Sequence, residues 1–360
     1  MQLRYQPSLD GLRAIAIAAV VLYHATDFTF PASGQLGVDL FFVLSGFLIT
    51  TILVDEHRRR AGAVSLASFY RRRALRLLPA MLVLLTALVL VASVMGDMRE
   101  TALGAAAGIG YVMNHAVAAG YGESLPDGLA HLWSLSAEEQ FYLVWPLVLI
   151  GFFRGRLGLA AWACATGIVL FQLRALDLLA TGAATQRVEF GVDTRSVSIL
   201  TGCLLALLLA ARSGPVPRMP QRLEFVAPVL FVALLVIDWK RSLFAGPLLV
   251  AALCAAVLIV QALDRTSPVA RALSVAPMVF LGRISYGLYL WHLPILAAFG
   301  VLGAGLTLVA VPAVALSIAA ATASYYLVEL PFLRRKSRPA GPEESAAPPV
   351  PDGVVVVQPR

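Results

Sequence analysis

The sequence is short of charged residues, and that shortage excludes a soluble globular protein. Asp, Glu, Lys and Arg make up 14% of the 360 residues, hydrophobic residues make up 59%, and mean hydropathy is +0.81. Soluble domains carry about 25% charged residues. The composition also excludes an intrinsically disordered, collagen-like or disulfide-stapled chain. It predicts an all-α protein, a polytopic bundle of transmembrane helices.

Lysine is scarce as well, because Lys240 and Lys336 are the only lysines among the 28 basic residues. The net charge of +7 is therefore carried by arginine. In a soluble protein such a balance would favour nucleic-acid binding. In a membrane chain it marks cytoplasmic loops instead, so we expect membrane lipids and no nucleic acid as partners.

The chain also lacks the motifs of several enzyme classes. It has no Walker A loop, no GxSxG elbow, no HExxH, no His-x4-Asp and no zinc spacing among its five histidines. Cys164, Cys203 and Cys254 lie in apolar runs without CxxC spacing, which predicts a packing role. ATP-driven transport and metal-dependent hydrolysis have no support, and we expect no metal and no permanently bound cofactor.

What the sequence does contain is a series of apolar stretches, each near the length of about 20 residues that a span needs. We predict about ten spans, at 10–28, 36–54, 75–95, 134–152, 157–179, 196–212, 224–238, 245–262, 279–297 and 304–328.

Arginine-rich connections set the orientation of these spans. The loop 55–76 carries seven arginines and is predicted to be cytoplasmic. The later basic connections face the same side only if the Gly- and Ala-rich run 103–119 is re-entrant or peripheral. We therefore expect both termini in the cytoplasm, a membrane domain over 1–333, and a disordered cytoplasmic tail over 334–360.

Ionisable residues inside the first span are the strongest candidates for function, since each costs at least about 2.5 kcal/mol to insert. Arg13 and His24 are eleven residues apart, so they lie on nearly the same helix face about 16 Å apart. Asp27 could orient His24 and make it a general base on a hydroxyl. The alternative is an interfacial histidine that only forms hydrogen bonds, with Asp10–Arg13 as a structural ion pair.

Further clusters occur later in the chain. Arg72, Arg73 and Arg76 could bind phosphates, or could be topology signals alone. Other ionisable or polar residues could line a site or pin helices together: Asp39, Ser134, Glu138, Tyr286, His292 and Glu329.

In their order along the chain, these clusters resemble the acyltransferase 3 family of bacterial integral membrane acyltransferases. The resemblance covers about residues 5–333 and includes an Arg-x10-His pair at Arg13 and His24. It rests on residues 9–16 (LDGLRAIA), 37–49 (GVDLFFVLSGFLI), 69–79 (FYRRRALRLLP), 133–142 (WSLSAEEQFY), 284–292 (ISYGLYLWH) and 329–331 (ELP).

The resemblance implies a multi-pass protein of the bacterial inner membrane that transfers an acyl group, mostly acetyl, from cytoplasmic acyl-CoA to a hydroxyl of a cell-envelope glycan. The three arginines Arg72, Arg73 and Arg76 would bind the CoA phosphates. Arg13 would contact the pantetheine or the thioester, and His24, supported by Asp27, would act as base or as transient acyl carrier.

Some members of that family carry a fused extracytoplasmic esterase-like domain, which we expect this chain to lack. The last transfer would then need the membrane domain alone or a separate esterase-like partner. Two other functions remain open from the sequence. One is O-acylation of a secreted small molecule such as a macrolide, and the other is transport of a lipid-linked sugar, for which no inverted repeat is evident.

Overall fold

The computed structural model describes residues 5–60, 62–126, 128–153, 157–302 and 308–336. Across these ranges the chain is helical and contains no β-strand, which confirms the predicted all-α class. Of the tail that was expected to be disordered, 334–360, residues 334–336 belong to the last helix, and residues 337–360 lie outside the described residues. The helices are α1 Pro7–Ala25, α2 Leu36–Arg59, α3 Leu66–Met95, α4 Met98–Ile109, α5 Met113–Ala118, α6 Trp133–Phe152, α7 Leu157–Ala180, α8 Thr185–Phe190, α9 Val192–Ala211, α10 Val226–Val236, α11 Pro247–Leu263, α12 Pro268–Leu273, α13 Ala276–Arg283, α14 Ser285–Ala298, α15 Ala310–Ser324 and α16 Leu330–Lys336.

Within the described ranges, six helical stretches are long and apolar enough to cross a membrane. They are Pro7–Ala25, Leu36–Arg59, Leu66–Met95, Leu157–Ala180, Thr185–Ala211 and Ala310–Arg334. The helices at several other predicted spans are shorter: α10 has 11 residues and α11 has 17. The membrane character of the chain is thus clear, while the number of about ten spans stays a prediction.

The run 103–119, for which the sequence left two topologies open, is broken into α4 and α5. The break lies between Ile109 and Met113, where Tyr111 adopts a φ of 52°. With 12 and 6 residues, neither helix reaches the length of about 20 residues that a span needs.

The bundle has a central and a peripheral set of helices. In α2, 78% of the most apolar segment is buried inside the protein, whereas only 22% of the corresponding segment is buried in α7 and in the stretch Ala310–Arg334. Apolar side chains on the peripheral helices are exposed, as at Val94 (84%) and Trp162 (73%). Lipid contact requires such an apolar outer surface.

Glycines allow the central helices to approach closely. A Cβ at Gly46 of α2 would lie 2.0 Å from the carbonyl oxygen of Ile199, and a Cβ at Gly202 of α9 would lie 2.0 Å from that of Val43. The same holds where α1 meets α13, because a Cβ at Gly282 would lie 1.9 Å from the Asp10 carbonyl oxygen. Small residues at helix crossings are typical of membrane bundles.

The first helix differs from its predicted extent at its C-terminal end. It begins at Pro7 and ends at Ala25, after which Asp27 and Phe28 have φ values of 50° and 63°. Arg13 and His24 therefore share one continuous helix as expected. Asp27 lies beyond that helix, so the helical spacing that would place it on the face of His24 does not extend to it.

Candidate active site

A cavity of about 260 Å³ lies among α1, α2, α3, α6 and α14. We call it the arginine cavity, because Arg13, Arg73 and Arg76 all line it. Ser134, Glu138 and Tyr286 line it too, so it gathers six of the twelve residues that the sequence singled out. The other lining residues are Val38, Phe41, Phe42, Ser45, Leu48, Ile49, Ile52, Phe69, Leu77, Leu135, Tyr142, Ser285 and Tyr289.

Arg73 is fully engaged by its neighbours in this cavity. Its Nε donates to Glu139 Oε1 at 2.6 Å, and its Nη2 donates to Glu138 Oε1 at 2.9 Å. The guanidinium carbon also lies 3.3 Å from the centre of the Tyr142 ring. Ser45 adds a hydrogen bond of 2.6 Å to Glu138. The two adjacent glutamates thus find their counter-charge in Arg73, which joins α3 to α6.

The other arginines of the cluster differ from Arg73. Arg13 Nη1 donates to Asp10 Oδ1 at 2.9 Å, and only 20% of its side chain is exposed. Arg76 forms no hydrogen bond or ion pair with the residues that the structure describes, although it lines the cavity. Arg72 does not line the cavity and contacts Glu56 at 3.3 Å. Arg76 is therefore the arginine best placed to bind an anionic ligand.

A second cavity, of about 540 Å³, lies toward the C-terminal end of α1. We call it the histidine cavity, because His24 and His131 line it. The other lining residues are Val20, Tyr23, Phe28, Gln35, Val38, Val117, Gly122, Ala130, Trp133, Glu189, Phe190, Tyr289, Leu293 and Leu302.

The hydrogen bonds of His24 fix the tautomer of its ring. Its Nδ1 lies 2.8 Å from the carbonyl oxygen of Val20, and a carbonyl can only accept, so Nδ1 carries the proton. The Nε2 of His292 lies 3.3 Å from the same Nδ1, while the Nδ1 of His292 lies 2.7 Å from the Tyr289 carbonyl oxygen. His292 thus helps to orient His24, whose Nε2 is left with a lone pair that can accept a proton.

The two cavities meet at a thin wall. Val38 and Tyr289 line both of them. The Tyr289 hydroxyl donates to the carbonyl oxygen of His131 at 2.6 Å and therefore accepts from the Ser134 hydroxyl, 2.5 Å away. Val38 and the hydrogen-bonded Tyr289 therefore lie at the boundary between the arginine cavity and the histidine cavity.

Asp39 lines neither cavity but forms a buried ion pair behind the histidine cavity. Its Oδ2 accepts from Arg195 Nη1 at 2.7 Å, and both side chains are only 1% exposed. Ser198 donates to the other carboxylate oxygen at 2.9 Å. The same guanidinium donates to Gln35 Oε1 at 3.0 Å and to the Glu189 carbonyl oxygen at 2.7 Å. Arg195 thus ties α8, α9 and the start of α2 together.

The last predicted lining residue, Glu329, lies in a π-helical turn, Tyr325–Glu329, between α15 and α16. It is buried, accepts a hydrogen bond of 3.3 Å from Ser324, and packs against Gly287, where a Cβ would lie 2.9 Å from its Oε1. It lines neither of the two cavities. Its contacts are those of a residue that joins α14 to the last helices.

Sequence reasoning passed over Arg195 and Glu189. Arg195 carries one usable signal, since it is an arginine at the start of an apolar stretch. Glu189 lies in a polar connection between apolar stretches, and nothing in its sequence context distinguishes it from an ordinary loop residue. As for metals, the described residues contain no group of three or more His, Cys, Asp or Glu side chains that could hold an ion.

Comparison with known proteins fits this arrangement. A model of the family described as "Acyltransferase domain" matches residues 6–328, nearly the whole chain. No solved structure matches the chain significantly.

Three relatives illustrate the similarity. The peptidoglycan O-acetyltransferase OatA of Listeria monocytogenes is 33% identical over 321 residues, which cover 81% of this chain and 50% of the relative. The putative peptidoglycan O-acetyltransferase YrhL of Bacillus subtilis is 35% identical, covering 81% and 49%. The O-acetyltransferase OatA of Staphylococcus aureus is 32% identical, covering 92% and 58%.

The chain spans about half the length of these relatives. The family match nevertheless covers both cavities, from Arg13 and His24 in α1 to Tyr286 and His292 in α14. On this evidence the chain belongs to the acyltransferase 3 family of membrane acyltransferases.

Proposed function

We propose that the chain is a membrane O-acetyltransferase, which moves an acetyl group from cytoplasmic acetyl-CoA to a hydroxyl of a cell-envelope glycan. One observation carries the proposal: a cavity with a free arginine and a cavity with an oriented histidine share a wall of two residues, Val38 and Tyr289. The names of the relatives, peptidoglycan O-acetyltransferases, support acetyl as the acyl group and a glycan as the acceptor.

The arginine cavity is proposed to hold the donor. Its volume of about 260 Å³ lies at the small end for ligand sites, so it would hold the acetyl-pantetheine end of the donor while the nucleotide stays outside. Arg76 would bind a phosphate or a pantetheine carbonyl, since its guanidinium forms no hydrogen bond or ion pair with another described residue. Arg13 would stand deeper in the cavity near the thioester. Arg73, whose charge is already paired with two glutamates of α6, would hold α3 against α6 at the side of the cavity.

The chemistry falls to His24. Its Nε2 would take the proton from the acceptor hydroxyl as the hydroxyl oxygen attacks the thioester carbonyl carbon. The carbon–sulfur bond then breaks, and CoA leaves as a thiolate that recovers the proton. In the alternative route the same Nε2 carries the acetyl group transiently. The thioester carbon–sulfur bond breaks in the first step as CoA leaves, and the acetyl group passes from Nε2 to the acceptor hydroxyl in the second, while the hydroxyl proton goes to the CoA thiolate. His292 and the Val20 carbonyl hold the ring for either route, and the supporting role of Asp27 stays a prediction.

The proposed topology places the donor and the acceptor on opposite sides. With about ten crossings and both termini in the cytoplasm of a bacterial inner membrane, Arg13 lies toward the cytoplasmic end of α1 and His24 toward the outer end. The arginine-rich stretch 55–76 then faces the donor pool. The break between α4 and α5 supports a re-entrant or peripheral course for 103–119.

The test is transfer of radiolabelled acetyl from acetyl-CoA to envelope glycan. Wild type and His24→Ala would be purified, returned to membrane vesicles at equal amounts, and supplied with glycan lacking O-acetyl groups. Wild type should label the glycan and release free thiol. His24→Ala should be slower by about 10²–10⁴-fold, the usual contribution of a general base, while acetyl-CoA still raises its melting temperature.

Other outcomes separate the alternatives. Glycan labelling by the purified chain alone means that no separate esterase-like partner is needed. Thiol release with label only in a small-molecule acceptor would favour a secreted acceptor such as a macrolide. An intact thioester with glycan movement across the vesicle would make the chain a transporter. Equal transfer by wild type and His24→Ala would reject the role of His24.

A further inference from the structure

Glu189 brings a carboxylate to the histidine cavity. It lies on α8, is half-buried, and faces the same cavity as His24. Its main-chain carbonyl is held by Arg195 Nε at 2.7 Å, which fixes the backbone at this point. Its carboxylate forms no hydrogen bond or ion pair with any residue in the described ranges, although the charge of Arg195 acts on it through space. A carboxylate in such a place costs free energy unless a charge, a proton or a ligand compensates it.

The cations around Glu189 are already matched with other carboxylates. Arg195 donates from Nη1 to Asp39 at 2.7 Å. Arg187 binds both oxygens of Asp193, at 2.8 Å and 2.6 Å. Each guanidinium therefore has its own carboxylate, and Glu189, on which Arg195 acts only through space, keeps its carboxylate oxygens open to whatever occupies the cavity.

His131 is a second polar group without a partner in the same cavity. It is 4% exposed, and neither of its ring nitrogens has a hydrogen-bond partner among the described residues. The carbonyl groups of Tyr289 and Leu290 lie beside the ring without meeting hydrogen-bond geometry. Buried polar side chains are nearly always hydrogen-bonded, so a buried imidazole open to a cavity points to a ligand.

The chemistry of the two groups selects the ligand. A carboxylate repels phosphates, so this cavity does not suit the nucleotide of acyl-CoA. An ammonium group could donate to Glu189 and to the unprotonated nitrogen of His131, but it could not accept from the imidazole N–H. Hydroxyls meet every need of the two side chains, because a hydroxyl can donate to the carboxylate or to the unprotonated nitrogen and can accept from the N–H. Trp133 and Phe190 add aromatic walls against which the apolar face of a sugar ring can pack.

We infer that Glu189 and His131 form a recognition subsite for the hydroxyls of a neutral sugar acceptor, next to the hydroxyl that reacts at His24. Glu189 accepts a hydrogen bond from one sugar hydroxyl, and His131 bonds a second. The inference rests on the proposed function, since it takes the histidine cavity as the acceptor side. It assigns choice of acceptor to these two residues and leaves the chemical step to His24.

The experiment measures sugar binding directly, without transfer. The purified full chain in lipid nanodiscs is titrated with a tetrasaccharide of N-acetylglucosamine by calorimetry. Glu189→Gln keeps the shape of the side chain but removes its charge, and should raise Kd by about tenfold or more, as expected for a lost hydrogen bond to a charged group. His131→Phe should raise Kd severalfold. Glu100→Gln, at an exposed position on α4, makes the same chemical change outside both cavities and should leave Kd unaltered.

Each result decides the inference. An equal Kd for wild type and Glu189→Gln, or no binding by wild type, overturns it. Tighter binding of the de-N-acetylated tetrasaccharide, which carries ammonium groups, also overturns it in favour of a cation site. Stabilisation by acetyl-CoA, unchanged in every variant, shows that the proteins are folded. Binding of the sugar with the expected pattern, but no acetyl transfer by wild type, would reject the proposed function and leave the subsite standing.

Discussion

The arginine cavity and the histidine cavity share a wall but treat charge in opposite ways. At the arginine cavity, Arg73 pairs with Glu138, which lines the cavity, and with the neighbouring Glu139, whereas Arg76 has no ion pair among the described residues. At the histidine cavity, Arg195 pairs with Asp39, and the carboxylate of Glu189 has no ion pair among the described residues.

Under the proposed function, this difference would give each cavity its own ligand selectivity. A free guanidinium favours an anionic ligand such as acyl-CoA, whereas a free carboxylate repels that ligand and accepts hydroxyls. The side chains that remain unpaired would then place the donor in the arginine cavity and the acceptor in the histidine cavity, which sets the direction of group transfer.

Arg195→Met should break the histidine cavity. The change leaves Asp39 as a buried charge without its cation, and loss of one member of a buried pair costs about 3–5 kcal/mol of unfolding free energy. Denaturation of the purified protein in mild detergent measures the effect. Because Arg195 also holds Gln35 and the Glu189 main chain, the fraction of Arg195→Met protein that stays folded should lose more affinity for the sugar than for acetyl-CoA.

A double variant serves as the control for that loss. In Asp39→Leu/Arg195→Met neither charge remains, and exchange of a buried pair for apolar side chains is often close to neutral. It should therefore recover most of the stability. If Arg195→Met alone is as stable as wild type, the ion pair does not support the cavity wall.

Arg76→Ala should affect the donor side without harming the fold. The guanidinium forms no hydrogen bond or ion pair with the described residues and acts on Glu139 and Glu329 only through space, so the unfolding free energy should fall less than in Arg73→Ala. The KM for acetyl-CoA should rise about tenfold or more, because a hydrogen bond to a charged group contributes about 1.5–3 kcal/mol. Initial rates over a range of acetyl-CoA concentrations measure this.

Two neighbouring arginines sharpen the result. Arg71→Ala, at an exposed position in the same basic run, should leave both stability and KM unaltered. Arg73→Ala should lower stability, since Glu138 and Glu139 would lose their shared cation. A rise in KM that is equal for Arg71→Ala and Arg76→Ala would mean that general positive charge, and no specific contact, attracts the donor.

The local part of this architecture can be predicted from sequence. Helices follow from apolar runs, and the helical repeat correctly places Arg13 and His24 on one helix. The break inside 103–119 is signalled only by composition. The end of α1 could not be predicted, because the left-handed conformations of Asp27 and Phe28 are not favoured by those residue types over a further helical turn.

The non-local part could not be predicted in this way. His292 reaches His24 across 268 positions and Arg195 reaches Asp39 across 156, and no pattern in one stretch specifies its distant partner. The consequence is large for function, because pairing decides which charged groups are free. From sequence, Arg72, Arg73 and Arg76 are equivalent candidates. Only their contacts show that Arg76, alone among the three, lines the cavity without a hydrogen bond or ion pair to a described residue.

Tyr289→Phe should have the smallest effect on ligand binding, and it tests the boundary between the two cavities. Loss of the hydroxyl removes its two hydrogen bonds with the His131 carbonyl and the Ser134 hydroxyl, which should lower the free energy of unfolding by about 1–3 kcal/mol, at about 0.5–1.5 kcal/mol each. Since Tyr289 faces both cavities, binding of acetyl-CoA and of the sugar should weaken together, each by a few-fold. Tyr286→Phe is the matched change on the arginine side, where the hydroxyl donates to the Leu77 carbonyl oxygen at 2.7 Å.

Paired titrations of the two variants decide whether the wall couples the sites. Tyr286→Phe should weaken acetyl-CoA binding alone, because Tyr286 lines only the arginine cavity of the two. If Tyr289→Phe weakens only one ligand, the two cavities behave as independent sites despite their shared lining. If it weakens both, the hydrogen-bonded tyrosine is the point at which the donor and the acceptor sides are joined. The reacting hydroxyl and the thioester would then have to meet at its ring.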